Sequence, residues 1–278
     1  MKWRADTSHG SRVRLHVLRV VEPSAPAVML LHGLGVSGRI WQGFARRLLP
    51  GLAAVAPDLR GHGQSSAPAS GYLPADYAQD LVELIEAEDW LQQPVAVVGH
   101  SLGALVALAL ADVRPELVAW LVLLDPPIDP HVRNPEIAAV YRLRHAAAGQ
   151  LEAYLLSRNP GGGRVLADSL ATLFRDACDA AFEAFLDGDA HAEKDGSASA
   201  EALQQAGRIV QPCLVVQADP DRGGVLGDAP AHAFVRRLPH GQLRKIDGAT
   251  HALHASHPAD VARAILDFYS SAAGSGPR

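Results

Sequence analysis

The run Gly99-His100-Ser101-Leu102-Gly103 follows the apolar segment Val95–Val98 and precedes a stretch of helical period. A serine on so sharp a strand-to-helix turn projects its hydroxyl above the sheet edge, and small neighbours two positions away let the backbone close. The helix that follows favours negative charge developing at its start. A serine alone is a poor nucleophile and needs a base. Near the C-terminus, Asp247-Gly248-Ala249-Thr250-His251 lies in a loop from which His251 could reach back over the same edge. A third piece, Leu30-Leu31-His32-Gly33-Leu34-Gly35, ends an early strand. The backbone N–H of Leu34, with that of Leu102, would supply two donors for the oxyanion of an acyl-transfer reaction, a role in which side-chain identity matters little. His254 and His257 follow His251 at three-residue steps. Three histidines so close together suggest a metal site as an alternative. Pro258 starts a helix and no carboxylate has matching spacing, so no metal is expected, and His254 and His257 are read as surface groups or as support behind His251.

The elements that must position these groups follow from hydrophobic pattern. Strands are expected at Val13–Val21, Ala27–Leu31, Leu52–Pro57, Val95–Val98, Trp120–Leu124, Cys213–Gln217 and Gln242–Ile246, and helices at Trp41–Leu49, Ala75–Trp90, Leu102–Val113 and Pro258–Ser270. This alternation implies an α/β fold, a doubly wound, mostly parallel sheet covered by helices on both sides. From Ile128 to Arg208 no strand is expected. Helices are read at Pro135–Ala148, Gln150–Ser157 and Arg164–Leu186, with Gly149 as a break, Asn159–Gly163 as a turn, and Asp187–Ala200 as a polar, mobile stretch. Residues 128–208 are therefore assigned as a helical cap over the C-terminal edge of the sheet, where such folds bind ligands. Residues 1–127 and 209–278 form the core, and the tail Ala272–Arg278 is expected to be disordered.

The order His32-Gly33-Leu34-Gly35, then Pro57-Asp58-Leu59-Arg60-Gly61-His62-Gly63-Gln64-Ser65, then Gly99–Gly103, then Gly248-Ala249-Thr250-His251 resembles that of α/β-hydrolase fold enzymes, over nearly the whole chain. The resemblance implies Ser101 as nucleophile and His251 as base, with the Asp58–Ser65 stretch shaping a loop beneath the site. Trp41 is read as a core residue rather than as pocket lining. The resemblance also implies an acid to orient the imidazole, in one of two places. The usual position, in the loop after the penultimate strand, points to Asp221 within Gln217-Ala218-Asp219-Pro220-Asp221-Arg222-Gly223-Gly224, although alanine replaces the customary glycine there. The second arrangement, found in some haloalkane dehalogenases and a zearalenone lactonase, places the acid at the end of the strand before the cap, here Asp125 in Leu123-Leu124-Asp125-Pro126-Pro127. Asp125 is preferred, Asp221 is the alternate and Asp219 the third choice.

Composition narrows the remaining classes. A chain of 278 residues with 48% hydrophobic content can bury a large core without staples. The net charge of −5 disfavours broad binding to nucleic acid or anionic membrane, and the longest apolar run, Leu117–Leu124, is too short to span a bilayer. The start MKWRADTSHG lacks the apolar stretch of a signal peptide, and Cys178 and Cys213 are read as reduced core thiols, so a cytoplasmic location is expected. The cap holds 8 basic and 12 acidic residues, which disfavours strongly anionic substrates. Tyr141, Tyr154, Phe174, Phe182 and Phe185 are candidate apolar lining within it. The expected function is a cofactor-free serine hydrolase of a small carboxylic ester or lactone. A carbon–carbon hydrolase of ring-fission diketones, and a triad-bearing ligand sensor that signals to a partner, are the alternatives. Dehalogenation is disfavoured because position 101 is serine rather than a carboxylate.

Overall fold

The structure is a computed structural model that describes residues 2–21, 25–48, 53–88, 91, 94–128, 135–158, 163–190 and 198–273. Eight strands occur among them: β1 (Arg4–His9), β2 (Arg14–Val20), β3 (Ala27–Leu31), β4 (Ala53–Pro57), β5 (Val95–His100), β6 (Val118–Leu124), β7 (Cys213–Gln217) and β8 (Gly241–Lys245). They form one sheet in the order β1-β2-β4-β3-β5-β6-β7-β8. The pairs β1–β2 and β2–β4 are antiparallel, and the remaining pairs are parallel. Strand β1 was not anticipated from the sequence. Its residues RADTSH are mostly exposed at the sheet edge, so they carry no apolar alternation to betray them.

The helices are α1 (Trp41–Leu48), α2 (Pro74–Ala87), α3 (Leu102–Val113), α4 (Pro135–Arg144), α5 (Gln150–Arg158), α6 (Gly163–Asp176), α7 (Asp179–Ala190), α8 (Ala198–Ala206), α9 (Asp228–Val235), α10 (Leu253–Ser256) and α11 (Pro258–Ala273). Successive strand residues face opposite sides of the sheet, which separates two cores. On one side Met29, Val97 and Leu123 pack with Leu81 and Leu84 of α2, with α3, and with Phe234 of α9. On the other, Leu30, Val98 and Val122 pack with Trp41 and Phe44 of α1 and with Val261, Ile265 and Phe268 of α11. Leu102–Ala111 of α3 is buried throughout, so the helix behind the serine turn is held on all sides.

Helices α4–α8 occupy the chain between β6 and β7. The single helix expected at Arg164–Leu186 is two, α6 and α7. The apolar spacing runs on through the break, but at Cys178 the backbone N–H turns away to donate to the Gly61 carbonyl at 2.8 Å. Buried Arg144 caps this break by donating to the carbonyls of Arg175 and Ala177, and its guanidinium lies over the Phe182 ring at 4.6 Å. The stretch expected to be mobile is partly helical: α7 continues to Ala190 and α8 begins at Ala198, while 191–197 lie outside the described residues. Gly149 does separate α4 from α5, at φ 87°. The turn expected at Asn159–Gly163 falls mostly outside the described residues, and α11 carries the chain to Ala273, two residues into the stretch expected to be disordered. Cys213 is buried and Cys178 half-buried, its thiol donating to the Tyr72 hydroxyl at 3.1 Å.

Candidate active site

Strands β5 and β6 run parallel with His100 level with Leu124, so the residues that follow them, Ser101 and Asp125, end neighbouring strands side by side. These are the two non-glycine residues with positive φ among the described residues, at 53° and 43°. Such dihedrals cost of order 1–3 kcal/mol each and persist only where the surroundings enforce them. Here they do: the Ser101 N–H donates to the Leu124 carbonyl at 3.0 Å, and the Asp125 N–H to the Val216 carbonyl at 2.8 Å. The serine turn closes because Gly99 and Gly103 carry no Cβ. A Cβ on Gly99 would collide with the Gly103 carbonyl, and one on Gly103 with the carbonyls of Leu31 and His32 at the end of β3.

Asp125 is fully buried, and His251 Nδ1 donates to its Oδ2 at 2.7 Å. The N–H groups of Val225 and Ala218 donate to the same carboxylate, at 2.9 and 3.2 Å. With its proton on Nδ1, the ring presents Nε2 as an acceptor. Of the three carboxylates weighed from sequence, Asp125 is therefore the one that meets His251. Asp221 is exposed, and Asp219 is engaged elsewhere. One Asp219 oxygen accepts from the Asp221 N–H at 3.0 Å and the other from the Gly248 N–H at 2.8 Å, which ties the loop after β7 to the loop that carries His251. Those two backbone contacts hold its carboxyl below the usual range.

The other histidines support the backbone. His100 Nε2 donates to the His251 carbonyl at 2.9 Å, and its ring lies 4.7 Å from those of both His251 and His254. His254, expected at the surface or behind His251, is buried with its ring 4.8 Å from Trp41. Nδ1 of His100 and of His254, and Nε1 of Trp41, have no hydrogen-bond partner among the described residues. Burial pushes His254 down to about 3 and His100 well below its ordinary value, so neither adds positive charge beside His251 near neutral pH. His32 Nδ1 donates to the Gly33 carbonyl at 2.8 Å while Nε2 accepts from the Leu59 N–H at 2.9 Å, and burial lowers it to about 4. This bridge joins the 32–35 turn to the Asp58–Ser65 stretch. Asp58 in turn accepts from the Gly38 and Gln64 N–H groups and from His16, so it braces the loops and does not meet the serine. Trp41 is fully buried in the core.

Leu34, Ser101 and His251 line a cavity of about 550 Å³. Neither the Leu34 nor the Leu102 N–H has a backbone hydrogen bond among the described residues. The wall opposite is formed by the chain between β6 and β7, with Ile137, Val140, Leu166, Leu170 and Phe174. Tyr154 also lines the cavity, as expected, whereas Phe182 is buried behind Phe174 with its ring 6.5 Å away. Sequence reasoning gave His100 no part, and passed over Arg47, Arg158 and Arg222, which also line the cavity. Isolated arginines carry no spacing signal. No group of three or more histidine, cysteine or acidic side chains arranged to hold a metal occurs among the described residues, and no helix there is long and apolar enough to cross a membrane.

Comparison with known proteins identifies the family. The sequence profile described as the alpha/beta hydrolase family matches residues 28–264. The lipase LipV of Mycobacterium tuberculosis is 44% identical over 117 residues, 42% of this chain and 43% of its own length. The magnesium-chelatase 30 kDa subunit of Rhodobacter capsulatus is 31% identical over 262 residues, 87% of this chain and 86% of its own. The chain spans only 33% to 43% of the length of the first curated relatives it matches. Among solved structures, a serine hydrolase from Cycloclasticus zankles superposes with a TM-score of 0.81 at 19% identity, covering 97% of this chain and 98% of its own, a likeness of fold. On the match across residues 28–264, the chain belongs to the alpha/beta hydrolase family.

Proposed function

We propose that the protein is a cofactor-free serine hydrolase that cleaves a small carboxylic ester or lactone through an acyl-enzyme. The observation that carries this reading is the contact of His251 with buried Asp125, next to a strained Ser101 that lines the same cavity as His251. In the proposed mechanism His251 Nε2 takes the Ser101 proton as Oγ attacks the substrate carbonyl, and the N–H groups of Leu34 and Leu102 receive the oxyanion. The alkoxide leaves with the proton from His251. Water then attacks the acyl-serine with His251 again as base, which releases the acid and restores Ser101. Asp125 holds the imidazole in the Nδ1–H tautomer and stabilises its transient positive charge. Helices α4–α8 act as the cap, with Phe174 and Leu170 receiving the apolar part of the substrate. LipV, named as a lipase, supports the ester-type reaction.

The test is release of p-nitrophenol from p-nitrophenyl acetate and butyrate, and of acid from a lactone panel, by wild type and Ser101→Ala. Turnover abolished by the substitution is expected. Equal turnover by both proteins would refute the reading.

A further inference from the structure

The cavity carries a charge opposite in sign to the protein around it. Net charge over the whole chain is −5, yet among the described residues the Lys, Arg, Asp and Glu side chains lining the cavity are Arg47, Arg158, Arg222 and a single acid, Glu136. Arg158 is paired with Glu136, so those two offset one another. Arg47, on α1, and Arg222, in the loop after β7, are exposed and make no ion pair or hydrogen bond through their side chains among the described residues. These two positive charges are therefore left facing the cavity. Strands β3 and β7, which precede these two segments, flank β5 and β6 in the sheet, so the arginines come from either side of Ser101.

The loop that carries Arg222 is anchored. The Asp219 carboxylate is held by the N–H groups of Asp221 and Gly248, and Gly223 follows in a left-handed conformation at φ 90°. A Cβ built on Gly223 would lie 3.7 Å from Glu136 Oε1 and 3.9 Å from Arg158 Nη2, so the loop abuts the neutralised pair of the cap. Asp219 feels the charge of Arg222, which helps hold its carboxyl low, but both of its oxygens are engaged by backbone N–H groups and neither it nor Asp221 lines the cavity. A guanidinium that keeps its five donors free at the margin of an apolar cavity is suited to a planar carboxylate, which it can bind through two parallel N–H···O contacts.

From this arrangement we infer that the substrate bears a carboxylate on its non-scissile part, received by Arg222 with Arg47 adding to the field, so that the substrate class is the monoanionic hemiester of a dicarboxylic acid. This rests on the ester-hydrolase reading. The balanced reaction is a monoanionic hemiester plus water giving an alcohol, a dicarboxylate dianion and a proton released to solvent: the acyl–oxygen bond breaks, Ser101 carries the acyl group between the two steps, and the distal carboxylate takes no part in bond making. The acidity of the cap, which pointed away from anionic substrates, is a property of its whole surface and is reversed at the cavity.

The test separates binding from turnover. Ser101→Ala protein is titrated calorimetrically with monobutyl glutarate and with its neutral carboxamide counterpart, butyl 5-amino-5-oxopentanoate, at low and raised salt. The expected result is binding of the carboxylate about tenfold tighter than the amide at low salt. That ratio should collapse in Arg222→Gln, shrink in Arg47→Gln and fall as salt screens the charges. Equal or tighter binding of the amide, a ratio unchanged by Arg222→Gln, or binding of neither compound at 10 mM (roughly the weakest affinity of interest) overturns the inference. Turnover of monobutyl glutarate and of p-nitrophenyl butyrate by wild type reports separately on the hydrolase reading. Turnover without a carboxylate preference removes this inference alone, and a carboxylate preference without turnover removes the hydrolase reading and leaves the anion site standing.

Discussion

The sheet edge and the helical segment above it are built to different standards. At the ends of β5 and β6, the two non-glycine residues of positive φ among the described residues are buried and fixed by backbone contacts. Asp125 alone accepts from His251 and two backbone N–H groups. In the segment between β6 and β7, many residues are half-buried, and pairs such as Arg158–Glu136 and His145–Asp179 lie at the surface. Bond making at an acyl carbon tolerates little misplacement of donors and nucleophile, whereas an apolar wall need only have roughly the right shape. The division of labour proposed is reactivity at the sheet edge, apolar fit of the substrate in the helices between β6 and β7, and recognition of its charge by Arg47 and Arg222.

Substitutions should separate those roles, and the largest effect belongs to the edge. Ser101→Ala is expected to lower kcat on the order of 10⁶-fold with little change in substrate affinity. Asp125→Asn should cost about 10⁴ in kcat, because the amide would favour the wrong imidazole tautomer, while Asp221→Asn should stay within about threefold of wild type, since Asp221 meets neither His251 nor the cavity. Steady-state kinetics of both variants on one ester decides between the two carboxylates; a larger loss at Asp221 would reverse the assignment. Phe174→Ala, on the cap side, should raise KM about tenfold, because the smaller side chain leaves one side of the substrate wet and removes roughly 1–2 kcal/mol of apolar burial. Its kcat should stay within a few-fold of wild type. A kcat loss as large as that of Asp125→Asn would abolish the division of labour.

A smaller and broader effect concerns acid stability. His32 is held at about 4, and His62 and His254 at about 3, chiefly by burial, with His32 also repelling the charged form of His62. All three lie outside the segment between β6 and β7. Their folded values are below the unfolded value of 6.5, so their contribution is fully present above pH 6.5. As pH falls below it, the unfolded chain takes up protons that the folded protein refuses, and stability declines toward about pH 3–4, where the folded histidines finally charge. Each adds a slope of about 1.4 kcal/mol per pH unit within that window. Denaturant unfolding at pH 7.5, 6, 5 and 4 checks this, and His254→Gln should flatten the curve. Unchanged stability down to pH 4 would contradict the burial of these rings.

The two regions were also unequally legible in sequence. The serine turn, the 32–35 turn and His251 could be read because steric needs fix glycines at set offsets and because strand and helix patterns flank them. Asp125 came from resemblance, since nothing in Leu124-Asp125-Pro126 distinguishes a catalytic strand end from an ordinary turn. Between β6 and β7, spacing found helices but not the break at Cys178, which is made by a backbone contact to Gly61 far off in sequence. For His254 the sequence left open the surface or a place behind His251, and it is buried beside Trp41, more than two hundred residues earlier. Arg47 and Arg222 acquire meaning only from the cavity they share.

The central claim is that Ser101 is an activated nucleophile. Intact-mass analysis after exposure to a small fluorophosphonate, with peptide mapping, tests it most directly. The account predicts a single adduct on wild type, located at Ser101, with labelling greatly slowed in His251→Ala and absent in Ser101→Ala. An adduct at another residue, or equal labelling of wild type and Ser101→Ala, would contradict it.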